Sequence, residues 1–150
     1  MKNRKITVLL AFVLASMTHA AAPPADIESS MTMLKPHRSE MVDGVVQLEF
    51  LRLARVSIAD MRSTAFRVLC HRVIMNPKKA WKSDKVKGIE MWNDGKFSGF
   101  ALMVTAADCL EIDRASDKDR QKQLDAKTWI CRASNPCRPR LPGERTSMDD

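Results

Sequence analysis

The chain has 150 residues, a net charge of +7 from 25 Lys and Arg against 18 Asp and Glu, and 5% aromatic residues with no Tyr. That length suits one domain, since a single core typically spans about 100–150 residues. A charge excess this modest, part of it gathered at the N-terminus, argues against a dedicated nucleic-acid binder.

Lys2, Arg4 and Lys5 open the chain, and an uncharged apolar run fills Ile6–Met17. Thr18 and Ala20 then set small residues at the positions a signal peptidase reads. The order predicts a cleavable export signal over 1–20, cut after Ala20 because a cut after Ala22 places Pro23 just past the scissile bond. Twelve apolar residues fall short of the ~20 that a spanning helix needs, so no transmembrane segment is expected in the mature chain. No cysteine precedes Cys70, which argues against a lipid-modified N-terminus. Loss of the leader leaves 22 Lys and Arg against 18 acids, a net of +4. The expected destination is the periplasm or the outside of the cell.

The residues after the leader give a coarse element order. Residues 21–25, Ala-Ala-Pro-Pro-Ala, read as a flexible leader, and Asp26 as the cap of a short helix carrying Ile27, Met31 and Leu34, stopped by Pro36. From Val45 to Ala59 the apolar positions fit period two better than period 3.6, which predicts a strand pair or a bulged strand. A helix over Ser39–Ala54 competes, weakened by Gly44. Phe66–Met75 alternates and ends at Asn76-Pro77, the pattern of another strand. Ile89–Trp92, then Asn93-Asp94-Gly95, then Lys96–Thr105 predict a hairpin whose turn is closed by Gly95. Within it, Phe100–Val104 is apolar without a break, as for a strand covered on both faces. Ser116 opens a charged helix over Asp117–Ala126 with Leu124 as its one large apolar residue. Thr128–Cys131 adds a last strand, and the Pro- and charge-rich segment 138–150 reads as a disordered tail.

Four cysteines follow the leader: Cys70, Cys109, Cys131 and Cys137. An even count in an exported chain predicts two disulfides. The favoured pairing joins Cys131 to Cys137 around the Asn135-Pro136 turn signal, and Cys70 to Cys109. The longer bridge is expected to tie the middle of one strand to the end of another, contributing roughly 3–4 kcal/mol. The whole predicts a small single α+β domain over 21–137, a mainly antiparallel sheet with one or two helices, stapled by two disulfides.

Residues able to carry chemistry are sparse. Only His37 and His71 remain after cleavage, and neither a nucleophile elbow, a zinc-protease helix nor a phosphate loop is present. Cys70 and His71 are the best residues for an enzyme, yet neighbours on a strand point to opposite faces. No cysteine pair has the two-residue spacing of zinc ligands, and no metal or other cofactor is expected. Met31, Met33, His37 and Met41 bring soft copper ligands near one another in sequence, but Met more often fills a core. Glu111, Asp113, Asp117 and Asp119 alternate with basic residues like the start of a charge-laced helix.

The remaining feature is basic. Lys78, Lys79, Lys82, Lys85 and Lys87 crowd around Trp81, with Asp84 the sole acid among them. Such a loop suits an acidic partner or a polyanion, though a solvated loop that keeps the hairpin soluble is the simpler reading. A single aromatic gives too small a stacking platform for nucleic acid. Small size, disulfide staples and few histidines together point to a non-catalytic binding or accessory protein, acting on another protein of the envelope or outside the cell. Its contact surface is expected to combine the lysine loop and Trp81 with the hairpin tip at Trp92 and Asn93.

Overall fold

The computed structural model describes residues 21–32, 34–51, 58–79, 81, 85–133, 135–141 and 144. The expected export signal over 1–20 lies outside them. Six strands form one sheet in the order β1-β2-β3-β4-β5-β6: Arg38–Val42, Val45–Phe50, Gly88–Asn93, Ser98–Leu102, Thr128–Arg132 and Asn135–Pro139. Every neighbouring pair is antiparallel except β2 and β3, which run parallel. That exception has a topological cause. The chain leaves β2, crosses in the 18-residue helix α2 (Ile58–Met75), and re-enters the sheet in the same direction.

The expected strand at Phe66–Met75 is therefore corrected to the second half of α2. Buried Met61, Ala65, Phe66, Leu69 and Val73 recur at helical spacing along it. The period-two pattern expected over Val45–Ala59 marks a real strand only as far as Phe50: Ile58 and Ala59 open α2, and residues 52–57 lie outside the described residues. Val46 and Leu48 point inward while Gln47 and Glu49 point out, and over 39–51, the described part of the competing helix at 39–54, two strands and a turn form instead. Asp43-Gly44 turns the chain between β1 and β2, both residues in the left-handed region. The segment expected to be a flexible leader instead docks: Ala21 exchanges two backbone hydrogen bonds with Met41 on the edge of β1, at 3.0 and 2.8 Å. Helix α1 (Ala25–Met31) follows, with Pro24 rather than Asp26 at its N-cap.

The β3–β4 hairpin forms as expected, though β4 ends at Leu102 and not at Thr105. Gly95 sits at φ +70° in the turn, and the Asn93 side chain closes the hairpin mouth by bonding both the amide and the hydroxyl of Ser98. Gly99 is required by close approach, because a Cβ there would meet the Met91 carbonyl oxygen at 2.3 Å. After β4, Thr105 caps helix α3 (Ala106–Arg114) in a reciprocal capping box with Asp108. Sequence reading missed this helix, and Glu111 and Asp113 belong to it. Helix α4 (Asp117–Ala126) starts at Ser116 as expected and buries Leu124. Four α-helices, rather than one or two, thus lie among the described residues. None is long and apolar enough to cross a membrane.

The helices share one face of the sheet. Val46, Leu48, Ile89, Met91, Phe100 and Leu102 point towards α1, α2 and α3, and this layer is the core. The pairing of cysteines follows the sequence-based expectation, Cys70–Cys109 and Cys131–Cys137. The elements it joins differ, however: the long bridge ties α2 to α3, both sulfurs fully buried, and not strand to strand. The short bridge joins β5 to β6 on the opposite face, and β6 carries the chain through Arg138 to Pro139.

Candidate functional site

Two concave places stand out, one on each side of the sheet. The first gathers part of the basic segment. A one-turn 3-10 helix (Pro77–Lys79) follows α2, and Lys85, Val86 and Lys87 lead into β3. Between them the chain drops Trp81 into the core. Its indole N–H donates to the Leu69 carbonyl at 3.1 Å, and only 8% of the residue is exposed. Trp81 is thus a floor and not a free aromatic on a loop. Above it lies a cleft of about 630 Å³ whose charged and polar wall is Arg72, Asn76, Lys79, Lys85 and Asp26. Arg72 and Asn76, on and just after α2, were missed by sequence reading because their approach to Lys85 depends on the helical crossover. Lys78 and Lys87 are exposed beside this region, and Lys82 lies outside the described residues.

Trp92, expected at a shared contact surface with the lysines, lies on the other face of the sheet. It is 7% exposed, packs with Ala101 and Cys131, and donates its indole N–H to Glu90 Oε2 at 2.8 Å. Around it is the second cavity, about 450 Å³, lined by Glu90, Gln47, Lys96, Arg132 and Cys137 among others. These residues come from four strands and the hairpin turn, brought together by register: Gln47 stands opposite Glu90 across the parallel pair. Glu90 Oε1 lies 3.4 Å from Cys137 Sγ. The Glu90 carboxylate and the two sulfurs of Cys131 and Cys137 all lie within 4.8 Å of one another, the one group of potential metal-ligand atoms among the described residues. Both sulfurs are spent on their mutual bond here.

The other sequence candidates are dispersed. Cys70 is bonded to Cys109 and fully buried, while His71 is exposed on α2, so the two form no nucleophile–base pair. Met31 is a core residue, Met41 packs at the core edge, and His37 is exposed ahead of β1. Met33 lies outside the described residues. Asp117 and Asp119 sit in the first turn of α4, where acids suit the helix dipole.

Charge also locks the hairpin turn to the first strands. Lys96 Nζ reaches Glu40 at 3.0 Å and Gln47 Oε1 at 2.8 Å, and the Gly95 amide donates to Glu49. The bond from Lys96 holds the Glu40 carboxyl below its ordinary 4.5, against the opposing pull of burial and with help from Arg38. A carboxyl with a depressed folded value stabilises fully above its unfolded value, and that contribution disappears as pH falls through the folded one. Stability from this lock is thus expected to fade below about pH 4.5. In urea titrations across pH 3–6, Glu40→Gln should flatten the acid limb relative to the parent; an unchanged limb would show that the lock carries no proton-linked stability.

Comparison with protein-family models, with curated proteins and with solved structures finds no match to this chain.

Proposed function

We propose that the chain is exported and works as a non-catalytic binding protein, docking an acidic surface of another envelope or extracellular protein against the basic cleft over Trp81. The cleft itself supports this reading most directly: Arg72, Lys79 and Lys85 wall it, and Asp26 is the one acid lining it among the described residues. A volume of about 630 Å³ accommodates an acidic side chain or two with the adjoining backbone. Trp81 is fixed by its own hydrogen bond, so the floor is pre-organised and little ordering cost accompanies docking. Lys78 and Lys87, exposed and within two residues of the cleft's Lys79 and Lys85 in sequence, add positive charge that favours fast, salt-sensitive encounter. Two disulfides suit an oxidising compartment.

The test is site-directed photo-cross-linking in the living envelope, with the probe at Asn76, which lines the cleft and keeps the probe in every variant. The expected result is one reproducible adduct that is lost when Lys78, Lys79, Lys85 and Lys87 are all changed to Ser, and kept when Lys118 and Lys122 on α4 are changed instead. An adduct indifferent to the first set of replacements, or equally weakened by the second, overturns the proposal.

A further inference from the structure

The two disulfides occupy opposite environments. Cys70 and Cys109 are buried between helices, where no reagent reaches them without unfolding. Cys137 is partly exposed, sits on an edge strand, and forms part of the wall of the 450 Å³ cavity on the open face of the sheet. Its partner Cys131 is 1% exposed behind it, packed with Trp92 and Ala101. An approaching thiol therefore has one sulfur to attack. The Glu90 carboxylate stands beside that sulfur at 3.4 Å, oriented by the Trp92 indole. The charged groups sharing its cavity are Lys96, with Glu40 bonded behind it, and Arg132.

We propose that, apart from docking at the basic cleft, Cys131–Cys137 is a redox-active disulfide that oxidises one dithiol per protein molecule at this cavity, and that Glu90 carries the proton between the sulfurs. The first thiol of the dithiol attacks Cys137 Sγ and passes its proton to Glu90 Oε1. A bond forms between the incoming sulfur and Cys137, the Cys131–Cys137 bond breaks, and its electron pair goes to Cys131 Sγ. Glu90 hands the proton on to that sulfur; all three groups lie within 4.8 Å. The second thiol then attacks the first sulfur of the mixed disulfide and expels Cys137, which takes the second proton by the same route. The dithiol leaves as a disulfide, oxidised by two electrons, and the protein is left with two thiols.

Proton transfer by Glu90 has a distinctive consequence. Thiol–disulfide exchange ordinarily runs through the free thiolate, so below a thiol value of about 8.5 its rate rises tenfold per pH unit. A carboxylate that accepts the proton during attack removes that dependence. The purified disulfide-bonded protein is treated with dithiothreitol under native conditions at pH 5–7, quenched, alkylated and mapped by mass spectrometry. The expected result is labelling of Cys131 and Cys137 alone, with a shallow pH dependence. Glu90→Gln, which keeps the shape and the Trp92 bond, should slow labelling on the order of a hundredfold at the acid end and restore the tenfold-per-unit slope. Reduction of both disulfides together, or of neither, overturns the redox proposal. Equal slopes in parent and Glu90→Gln overturn the role of Glu90. This site lies across the sheet from the basic cleft, so neither outcome bears on docking there.

Discussion

Replacing Cys70 and Cys109 together by alanine should lower the unfolding free energy by about 4 kcal/mol, and replacing Cys131 and Cys137 by only about 2 kcal/mol. The difference comes from the unfolded chain. The first bridge closes a loop across 39 residues and the second across 6, and loop-closure entropy grows with the logarithm of that length. Loss of the long bridge also loosens the contact between α2 and α3, since Cys70 and Cys109 are part of the continuous core. Urea or guanidinium titration of the two double variants measures both numbers. Equal losses would mean that native-state packing, and not chain entropy, sets the effect of each bridge. A total stability of 5–15 kcal/mol is usual for a domain, so the Cys70/Cys109 variant should be visibly less stable at 37 °C.

Phe100→Ala should cost about 3–5 kcal/mol, the range for deleting a fully buried aromatic. Phe100 is the largest fully buried side chain among the described residues, in the middle of β4, and stands opposite Met91 on β3 and Ile130 on β5. Its neighbours are held by hydrogen-bonded strands on both sides, so the void left behind has little room to collapse. Phe97→Ala, three residues earlier, is the control: Phe97 is 71% exposed, and its loss should change stability by no more than about 0.5 kcal/mol. The pair is read by the same titration, and comparable losses at both positions would sink the assignment of Phe100 as a core centre.

What the sequence disclosed depended on how local each signal is. The β3–β4 hairpin was legible because its turn chemistry, Asn93-Asp94-Gly95, lies within the element it creates. The disulfide pairing was legible because one pair is close in sequence and leaves a single partner for each remaining cysteine. Helix α2 was not, and the reason is physical. Phe66, Val68, Val73 and Ile74 are β-formers by preference, and the stretch Phe66–Met75 alone alternates tolerably. Only with Met61 and Ala65 added does the helical stripe become plain, and burial against the sheet outweighs the weak local preference. Helix α3 announces itself in Thr105–Asp108, but a capping box reads as such only once the preceding strand is known to end at Leu102. Strand β6 carries Pro136 and Pro139, which deny it a strand signature; an edge position tolerates both.

The candidate sites follow the same division. Lys79, Lys85 and Trp81 were visible as a cluster, whereas the burial of Trp81 was not, because an aromatic flanked by lysines carries no period. The Glu90–Cys137 juxtaposition is a product of register across β3, β4, β5 and β6. Alternation in Ile89-Glu90-Met91-Trp92 does place Glu90 and Trp92 on one face, and that much was available from the start.

Both covalent bridges begin at or after Cys70, so α1, β1 and β2 carry none. When the oxidised protein unfolds, no bridge restrains residues 21–69, while 70–109 and 131–137 remain closed rings joined by the open segment 110–130. The freedom surrendered on refolding is consequently greatest in residues 21–69, roughly the first third of residues 21–150. That third nevertheless supplies Val46 and Leu48, buried beside β3 in the interior of the sheet. Cooperativity of the whole domain is therefore governed by its least tethered part.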